Sequence, residues 1–292
     1  MRLHVLYRTH AGSNSKPRPS WYDRRTAWES LRASLAEVPD RAVTVVVDGQ
    51  LPPELVGAFD PQDRQVTVQG GHASSSFRRA LAVGADLAAE APEDTLFWFA
   101  EDDYLYRPDA MPALMAAAAA VPAADYLTLH TPDDSAWHAT HPSQPDQQVP
   151  SLPGGAVPAG PATWQRIAKT TSTFGVRSAA LRADRRLLDL GSRVGAPFDT
   201  ATWHTLQGLQ PFPWRHVLSD LDPAPSLRGS VKVVAKPVMR SVLNVVGRRL
   251  DRRRLLIAPT ADLAVHMELD QVGDDSDWAA LARAIAGRTQ RP

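Results

Sequence analysis

Short apolar runs alternate with stretches of helical spacing along the first half of the chain. Leu3 to Tyr7 is a β-rich apolar run, and after a polar loop Trp28, Leu31 and Leu35 recur at the spacing of one helix face. The same alternation continues downstream. It predicts further strands at 43–48, 65–69, 95–100 and 125–130, with helices beginning near residues 72 and 108.

The second half of the chain is less regular. Residues 131–164 lack periodicity and are rich in Pro, Gly, Gln and His, and so long a loop inside a compact domain is usually either functional or disordered. Regular patterns then return. They predict strands at 170–176, 255–259 and 262–268, a helix ending near 190, a second beginning near 199 and a terminal helix at 277–286.

Strands that alternate with helices favour an α/β fold with a mostly parallel, doubly wound sheet and helices on both of its faces. In such sheets ligands bind in the crevice beyond the carboxyl ends of the strands. The chain of 292 residues is long enough for one large domain of this kind.

One predicted strand runs straight into three carboxylates, Glu101, Asp102 and Asp103. Adjacent acids repel one another, so in a dry site they need a cation, and hard divalent ions such as Mg²⁺ or Mn²⁺ take oxygen ligands of this kind. The alternative is a solvated turn after a strand. The spacing alone leaves both interpretations open.

The overall composition narrows the classes of function. The 32 basic and 32 acidic residues balance, so no global field favours nucleic acid. The absence of cysteine excludes disulfides, thiol nucleophiles and cysteine zinc sites. No secretion signal and no apolar run of about 18 residues is present, which favours a cytoplasmic protein.

The segment 228–254 departs from this balance, because it holds nine basic residues and one acid, a net charge of +8, interleaved with apolar residues. This pattern is typical of an amphipathic helix on an anionic membrane, and also of a solvated basic face. Peripheral contact with the inner face of the membrane is therefore one of two interpretations.

Two predicted helix starts carry residues that either cap the helix or contribute to a binding or catalytic site. Gly70 and Gly71 lead a hydroxyl-rich stretch that either caps its helix or holds a phosphate. Asp199 stands near the start of a later helix, where the commoner use of an aspartate is capping.

The order of these features resembles the GT-A fold glycosyltransferases, and most of all glycosyltransferase family 2. The resemblance spans roughly residues 3 to 270. It is carried by the strand ending Val47-Asp48-Gly49, the helix start Gly71 to Phe77, the acids Glu101-Asp102-Asp103 and the late stretch Pro259 to His266.

The resemblance implies a metal site with Mn²⁺ or Mg²⁺ as the cofactor. Glu101-x-Asp103 stands where the family has a D-x-D motif whose divalent ion bridges the diphosphate of a nucleotide sugar. Asp103 is then a metal ligand and Glu101 faces the ribose or a metal-bound water, while Asp102 takes either role. His266 matches the late histidine that completes the metal site in many members, and imidazole suits Mn²⁺ better than Ca²⁺.

Further roles follow from the same resemblance. Asp48 is expected to bind the base or ribose, with Arg8 and Thr9 beside the nucleobase pocket. Asp199 stands near the family's late catalytic acid and is expected to be the base of an inverting transfer. The usual Glu-Asp pair is missing there, since Ala196-Pro197-Phe198 precedes Asp199.

The predicted function is therefore transfer of a sugar from a UDP-, GDP- or dTDP-linked donor to a glycan, lipid-linked or small-molecule acceptor. Residues 1–130 would bind the nucleotide sugar, residues 131–270 the acceptor, and 271–292 would form a C-terminal helix and polar tail.

Two alternatives remain. One is a sugar nucleotidyltransferase, although the loop Gly12 to Arg18 is a loose match to the glycine-rich signature of that class. The other is a non-catalytic, metal-dependent protein that binds nucleotides or glycans. Turnover separates such a binder from an enzyme.

Overall fold

The structure is a computed structural model that describes residues 1–12, 16–131, 149–193, 197–212, 238, 240–246, 253–272 and 276–289. Its first half alternates strands and helices as the sequence predicts. The elements are β1 (Leu3–His10), α1 (Arg24–Leu35), β2 (Arg41–Asp48), a 3-10 turn (Pro53–Leu55), β3 (Arg64–Val68), α2 (Ala73–Glu90), β4 (Leu96–Glu101), β5 (Tyr104–Tyr106), α3 (Ala110–Ala120) and β6 (Tyr126–Leu127).

The described part of the second half contains shorter strands and three helices of ten or more residues. Its elements are β7 (Val157–Ala159), β8 (Ala162–Arg166), β9 (Phe174–Arg177), α4 (Ser178–Ser192), α5 (Pro197–Leu206), β10 (Leu256–Pro259), β11 (Ala264–His266) and α6 (Ser276–Thr289). The strand predicted at 125–130 is thus only two residues long, and β9 begins later than the pattern at 170–176 indicates.

The described strands form one mixed nine-stranded sheet in the order β3-β2-β1-β4-β9-β6-β10-β8-β7. Neighbours β3, β2, β1 and β4 run parallel, as do β6 and β10. The fold is therefore α/β with a mostly parallel central sheet, which confirms the predicted class. Strands β9 and β8 run antiparallel to their neighbours, a direction that the sequence pattern does not contain.

Helices cover both faces of this sheet, and β4 shows how one strand serves both. Trp98 packs in the core cluster that α1 and α3 form on one face, whereas Phe97 and Phe99 belong to the cluster of α2, α4 and α5 on the other. On that second face Gly84 of α2 lies against the sheet, and a Cβ there would stand 2.8 Å from the Phe99 ring. Because both faces are buried, β4 is a continuous apolar run.

The long stretch 131–164 contains a hairpin that the sequence analysis did not predict. Strands β7 and β8 pair antiparallel across the turn at Gly160, whose φ of +59° falls in the left-handed region that glycine adopts without strain. The Gly160-Pro161 dipeptide was the available signal. Residues 132–148 lie outside the described part of the chain.

A second, two-stranded sheet pairs β5 with β11 antiparallel and sets His266 opposite Tyr104. Helix α6 supports this sheet, because Trp278 and Ile285 share a buried cluster with Leu105 and Val265. The end of β4 and the late histidine are thereby held side by side. Among the described residues, no helix has both the length and the apolar character that crossing a membrane requires.

Candidate functional site

The three acids at the end of β4 and in the turn after it have different surroundings. Glu101 and Asp103 line a cleft of about 560 Å³, whereas Asp102 lies beneath it, where it accepts a hydrogen bond from Thr9 Oγ1 at 2.6 Å. The Arg24 guanidinium is 3.3 Å from the same carboxylate. Burial, followed by the charge of Asp103, raises the pKa of Asp102. Asp102 and Thr9 therefore support the site from below.

Asp103, His266 and Glu268 form a compact group whose ligand atoms all lie within 4.8 Å of one another. His266 Nε2 is 3.0 Å from Asp103 Oδ2 and 3.1 Å from Glu268 Oε1. Asp103 and His266 are 163 residues apart in sequence. The pair that the sequence predicts as metal ligands is thus brought together.

The two-stranded sheet explains this meeting. Since His266 pairs with Tyr104 in the β5–β11 register, it lies next to Asp103, and the Met267 N–H donates to the Asp103 carbonyl at 2.8 Å. The Tyr104 ring stacks on the imidazole at 4.7 Å with an interplanar angle of 3°. Backbone pairing and ring stacking together fix the direction of Nε2.

Two basic side chains from the loop after β1 reach the same group. Arg18 Nη2 donates to Asp103 Oδ2 at 2.8 Å, and Lys16 Nζ lies 2.6 Å from Glu268 Oε1 and 2.8 Å from Oε2. Burial by itself disfavours the ionised Asp103, but the charge and hydrogen bond of His266, with those of Arg18, hold the pKa of Asp103 well below its usual range. Burial also opposes charge on His266, yet Asp103 raises the pKa of the imidazole.

The donor set fits a divalent cation. Asp103 Oδ1 is a buried oxygen without a hydrogen-bond donor among the described residues, so it has unused capacity for a ligand. Two carboxylates and one imidazole are the mixed oxygen and nitrogen ligands that suit Mn²⁺ better than Ca²⁺. Burial in a cleft adds to the need for a positive charge.

Glu101 is held by three partners at the edge of this group. It forms an ion pair with Arg8, and its Oε2 accepts hydrogen bonds from Ser172 Oγ at 2.6 Å and Thr173 Oγ1 at 3.2 Å. Arg8 and Glu101 both line the cleft, and their predicted contacts with the nucleotide stay a prediction. Ser172 and Thr173 belong to the hydroxyl-rich stretch before β9, which the sequence analysis did not assign to the site.

The rest of the cleft is formed by the start of α2, by residues 169–172 and by α4 and α5. Ala73 and Ser74 bring the first turn of α2 to the cleft, whereas Ser192 and Thr202 lie along α4 and α5. Lys169 is also in the lining, and burial lowers the pKa of its ammonium to about 8.

Asp48 is not among the residues that line the cleft. Its Oδ1 accepts the Gly70 N–H at 2.7 Å, and hydrogen bonds from Gly70, Gly71 and Ser76 outweigh burial and lower its pKa. The structure uses Asp48 to fix the turn before α2. Its predicted contact with the nucleotide stays a prediction.

The predicted base, Asp199, lies on α5, but its side chain is outside the described part of the structure. The next residue, Thr200, lines the cleft. Most of the basic segment 228–254 is likewise not described, apart from 238, 240–246, Arg253 and Arg254. Neither prediction is tested.

The sequence analysis missed three members of the central group, Glu268, Lys16 and Arg18. Glu268 had a readable signal, because it follows His266 by two residues and side chains two apart in an extended segment share a face. Lys16 and Arg18 lie in the loop that the nucleotidyltransferase alternative compares with the signature of that class, but only the folded loop shows that they reach the acids.

No protein family model and no curated protein matches this chain. Similar solved structures include a 4-diphosphocytidyl-2C-methyl-D-erythritol synthase, 12% identical with a TM-score of 0.45, covering 96% of this chain and 99% of that one. A CMP:2-keto-3-deoxy-manno-octonic acid synthetase in complex with CTP is 14% identical with a TM-score of 0.39 and covers 99% of both chains.

A third similar structure is glucosyl-3-phosphoglycerate synthase from Mycobacterium tuberculosis with Mg²⁺ and UDP, 12% identical with a TM-score of 0.36. The match covers 68% of this chain and 67% of that one. At such identities and TM-scores no residue role is transferred from these proteins.

Proposed function

We propose that this protein is a metal-dependent glycosyltransferase that uses a nucleotide-diphosphate sugar. The observation that supports it is the meeting of Asp103 and His266 at 3.0 Å in a cleft, with Glu268 beside them. This is the ligand pair that the family resemblance implies. Asp103 follows the carboxyl end of β4, the edge of the sheet where α/β proteins bind ligands, and this position supports the proposal.

Asp103, His266 and Glu268 are the residues that would hold the Mn²⁺ or Mg²⁺. A divalent ion supplies Lewis acidity, which stabilises the negative charge on the leaving diphosphate. The remaining contributions come from the chain itself. Ala73 and Ser74 set the first turn of α2, with the positive end of the helix dipole, beside the cleft, and helix starts of this kind can bind phosphate.

Arg8 and Glu101 orient the nucleotide half of the substrate in this proposal. The Arg8 guanidinium neutralises Glu101, and Ser172 and Thr173 fix the second carboxylate oxygen. Glu101 is thus a rigid acceptor of the kind that recognises ribose hydroxyls. Residues 1–130 supply this half, and residues 131–270 supply the acceptor half through α4 and α5.

Transfer of a sugar also needs a base that removes the proton of the acceptor hydroxyl. Asp199 keeps that role as a prediction, because α5 borders the cleft at Thr200 and Thr202. The acceptor remains a glycan, a lipid-linked sugar or a small molecule.

Sugar nucleotidyl transfer is the second candidate, and the positions of Lys16 and Arg18 favour it. Enzymes of that class carry basic residues just after the first strand, and here both side chains extend from that loop to the acids at 2.6–2.8 Å. The similar structures include makers of diphosphocytidyl and CMP-linked products, which have the higher TM-scores, and one maker of a glucosyl product. With TM-scores below 0.5 they do not decide between the two reactions.

The two reactions and simple binding separate in one set of measurements. A thermal-shift panel of nucleotides and nucleotide sugars, with and without Mn²⁺, finds the ligand, since ligands that bind only the folded state raise its apparent stability. Products are then identified for each hit with a panel of sugars and sugar phosphates.

For the proposed function we expect release of a nucleoside diphosphate from a nucleotide sugar. Release of pyrophosphate from a nucleoside triphosphate and a sugar phosphate would instead establish nucleotidyl transfer. Metal-dependent binding with neither product would identify a binding protein.

A further inference from the structure

We propose that Lys16 is a built-in competitor of the divalent cation, bound to Glu268 in the metal-free protein and displaced from it when the cation binds. This inference rests on the proposed metal site. It concerns the affinity of that site, which the assignment of its ligands does not determine.

The contact geometry places Lys16 on the oxygen that faces the other ligands. Glu268 Oε1 is the atom 3.1 Å from His266 Nε2, and Lys16 Nζ lies 2.6 Å from that same oxygen. A cation shared by His266 and Glu268 needs Oε1. An ammonium and a divalent ion on one oxygen would be a few ångströms apart and would repel strongly at partly buried positions.

The burial of the partners decides which of them moves. The Glu268 side chain is 5% exposed, whereas the Lys16 side chain is 56% exposed. Lys16 can therefore withdraw its ammonium into water, where it is well hydrated, at the small cost that is usual for an exposed ion pair. Glu268 is buried and stays in place as the ligand.

Arg18 also contacts the group, but its side chain is held in place and does not withdraw into water as Lys16 can. Its side chain is 14% exposed, its Nη1 donates to the Met267 carbonyl at 2.7 Å, and its guanidinium lies 4.6 Å from the centroid of the Tyr22 ring. These contacts fix Arg18 independently of Asp103. Lys16 is thus the exchangeable cation and Arg18 the permanent one.

The exchange couples binding of the cation to binding of the nucleotide. Lys16 keeps Glu268 neutralised in the empty site and lowers the affinity of the protein alone for the cation. A ligand phosphate that accepts the displaced ammonium would relieve this competition. The cation would then bind more tightly together with the nucleotide than without it.

The test is a titration of the nucleotide-free protein with Mn²⁺, followed by calorimetry or by the electron paramagnetic resonance signal of unbound Mn²⁺. We expect Lys16→Met and Lys16→Gln each to bind Mn²⁺ about tenfold more tightly than the parent, the size expected for removing one nearby partly screened charge. Lys16→Arg keeps the charge and should stay near the parent value.

Lys169→Met is the matched control, because it removes a lysine that lines the same cleft and leaves the contact of Lys16 with Glu268 in place. This variant should change the affinity far less, because the proposed competition depends on the direct contact of Lys16 with Glu268 Oε1. An equal increase in Mn²⁺ affinity in Lys16→Met and Lys169→Met would show a general charge effect and would overturn the proposed exchange.

Failure of the inference and failure of the proposed function are distinguishable. Unchanged or weaker Mn²⁺ binding in both Lys16 variants, with the parent binding Mn²⁺, overturns the exchange and leaves the metal site standing. No Mn²⁺ binding by the parent or by either variant overturns both.

Discussion

At the scale of single residues, Glu101, Asp102 and Asp103 are neighbours in sequence that face different surroundings. Glu101 and Asp103 line the cleft, whereas Asp102 pairs with Thr9 and Arg24 beneath it. Glu101 ends β4, whereas Asp102 and Asp103 form the turn into β5, and this turn brings their side chains to different surroundings. The three acids therefore have separable roles.

Substitution of two of these acids should separate cation binding from stability. We expect Asp103→Asn to abolish Mn²⁺ binding in calorimetry, because it removes the charge of a proposed ligand. Asp102→Asn should retain Mn²⁺ binding and lose about 1–3 kcal/mol in the free energy of unfolding by urea, the usual cost of breaking a buried charged hydrogen bond. Full Mn²⁺ affinity in Asp103→Asn would contradict the metal assignment.

His4 on β1 gives a prediction for acid stability that does not involve the cleft. Burial, with nearby Arg2 and Arg64, lowers its pKa from 6.5 to about 4, and the ring stacks on Phe97 and contacts Thr44 Oγ1 at 2.9 Å. The unfolded chain thus binds a proton at a pH where the folded protein does not. Stability from neutral His4 is fully present above pH 6.5 and is lost as the pH falls from 6.5 towards 4.

We expect His4→Gln to lose less stability than the parent between pH 7 and pH 4, with a difference of about 2 kcal/mol, since partial exposure reduces the value of ~1.4 kcal/mol per pKa unit. Urea unfolding at a series of pH values measures this difference. Parallel curves for parent and variant would exclude His4 as a contributor.

At the scale of elements, the small sheet of β5 and β11 builds the site, and α6 holds that sheet in place. Trp278 of α6 packs under Leu105 and Val265, and Arg107 lies 4.7 Å from the centroid of its ring. Arg107 in turn donates its backbone N–H to the Leu263 carbonyl, just before β11. A helix far from the acids in sequence therefore positions His266.

Removing the Trp278 side chain should affect stability and cation binding together. We expect Trp278→Ala to cost about 3 kcal/mol of unfolding free energy, as large-to-small changes in buried positions do. Mn²⁺ affinity should also fall, because β11 loses its support. A variant that is destabilised but binds Mn²⁺ as the parent does would show that the β5–β11 pairing holds His266 alone.

The segment 240–246 carries the remaining element-scale prediction. Leu243 and Asn244 are buried against Phe212, whereas Val238, Val242 and Val245 are exposed at positions four and three apart, on one helix face. These exposed valines lie within residues 228–254, whose net charge is +8, and this combination favours contact with an anionic membrane over a solvated basic face.

We expect co-sedimentation with anionic liposomes at low salt, weaker at high salt because the attraction is screened. Val242→Asp should weaken it further. No co-sedimentation at low salt would identify a solvated basic face.

At the scale of the whole molecule, the candidate site joins the two halves of the chain. Asp103 follows the first βα units, and His266 and Glu268 come after the whole second half. A cation held by all three therefore binds the folded chain and not the unfolded one. Binding of this kind stabilises the entire domain.

Mn²⁺ should accordingly raise the melting temperature of the protein. A concentration of 100 times Kd adds about 2.7 kcal/mol to the free energy of unfolding. Ca²⁺ should add less at equal concentration, because imidazole is a poor ligand for it. Differential scanning fluorimetry compares the two ions, and Asp103→Asn should respond to neither. Equal shifts by both ions in that variant would mean that they bind elsewhere.

Much of the architecture could be predicted, because it depends on local patterns. The runs at 3–7, 43–48 and 95–100 are β1, β2 and β4, and the helical spacing of Trp28, Leu31 and Leu35 is α1. The hairpin of β7 and β8 was missed since its strands are short and lack periodicity. The direction of β9 was also missed, because strand direction is a property of the connections.

The sequence by itself determined the α/β class and the run of β4 into three acids, and its family resemblance implied Asp103 and His266 as ligands. Only the tertiary structure decided that Asp102 turns inward, that Glu268 joins the group and that Lys16 and Arg18 neutralise it. The physical reason is distance along the chain. Hydrophobic periodicity can be read within a few neighbouring residues. A contact between residues 163 or 252 positions apart depends instead on how the strands between the two residues pack.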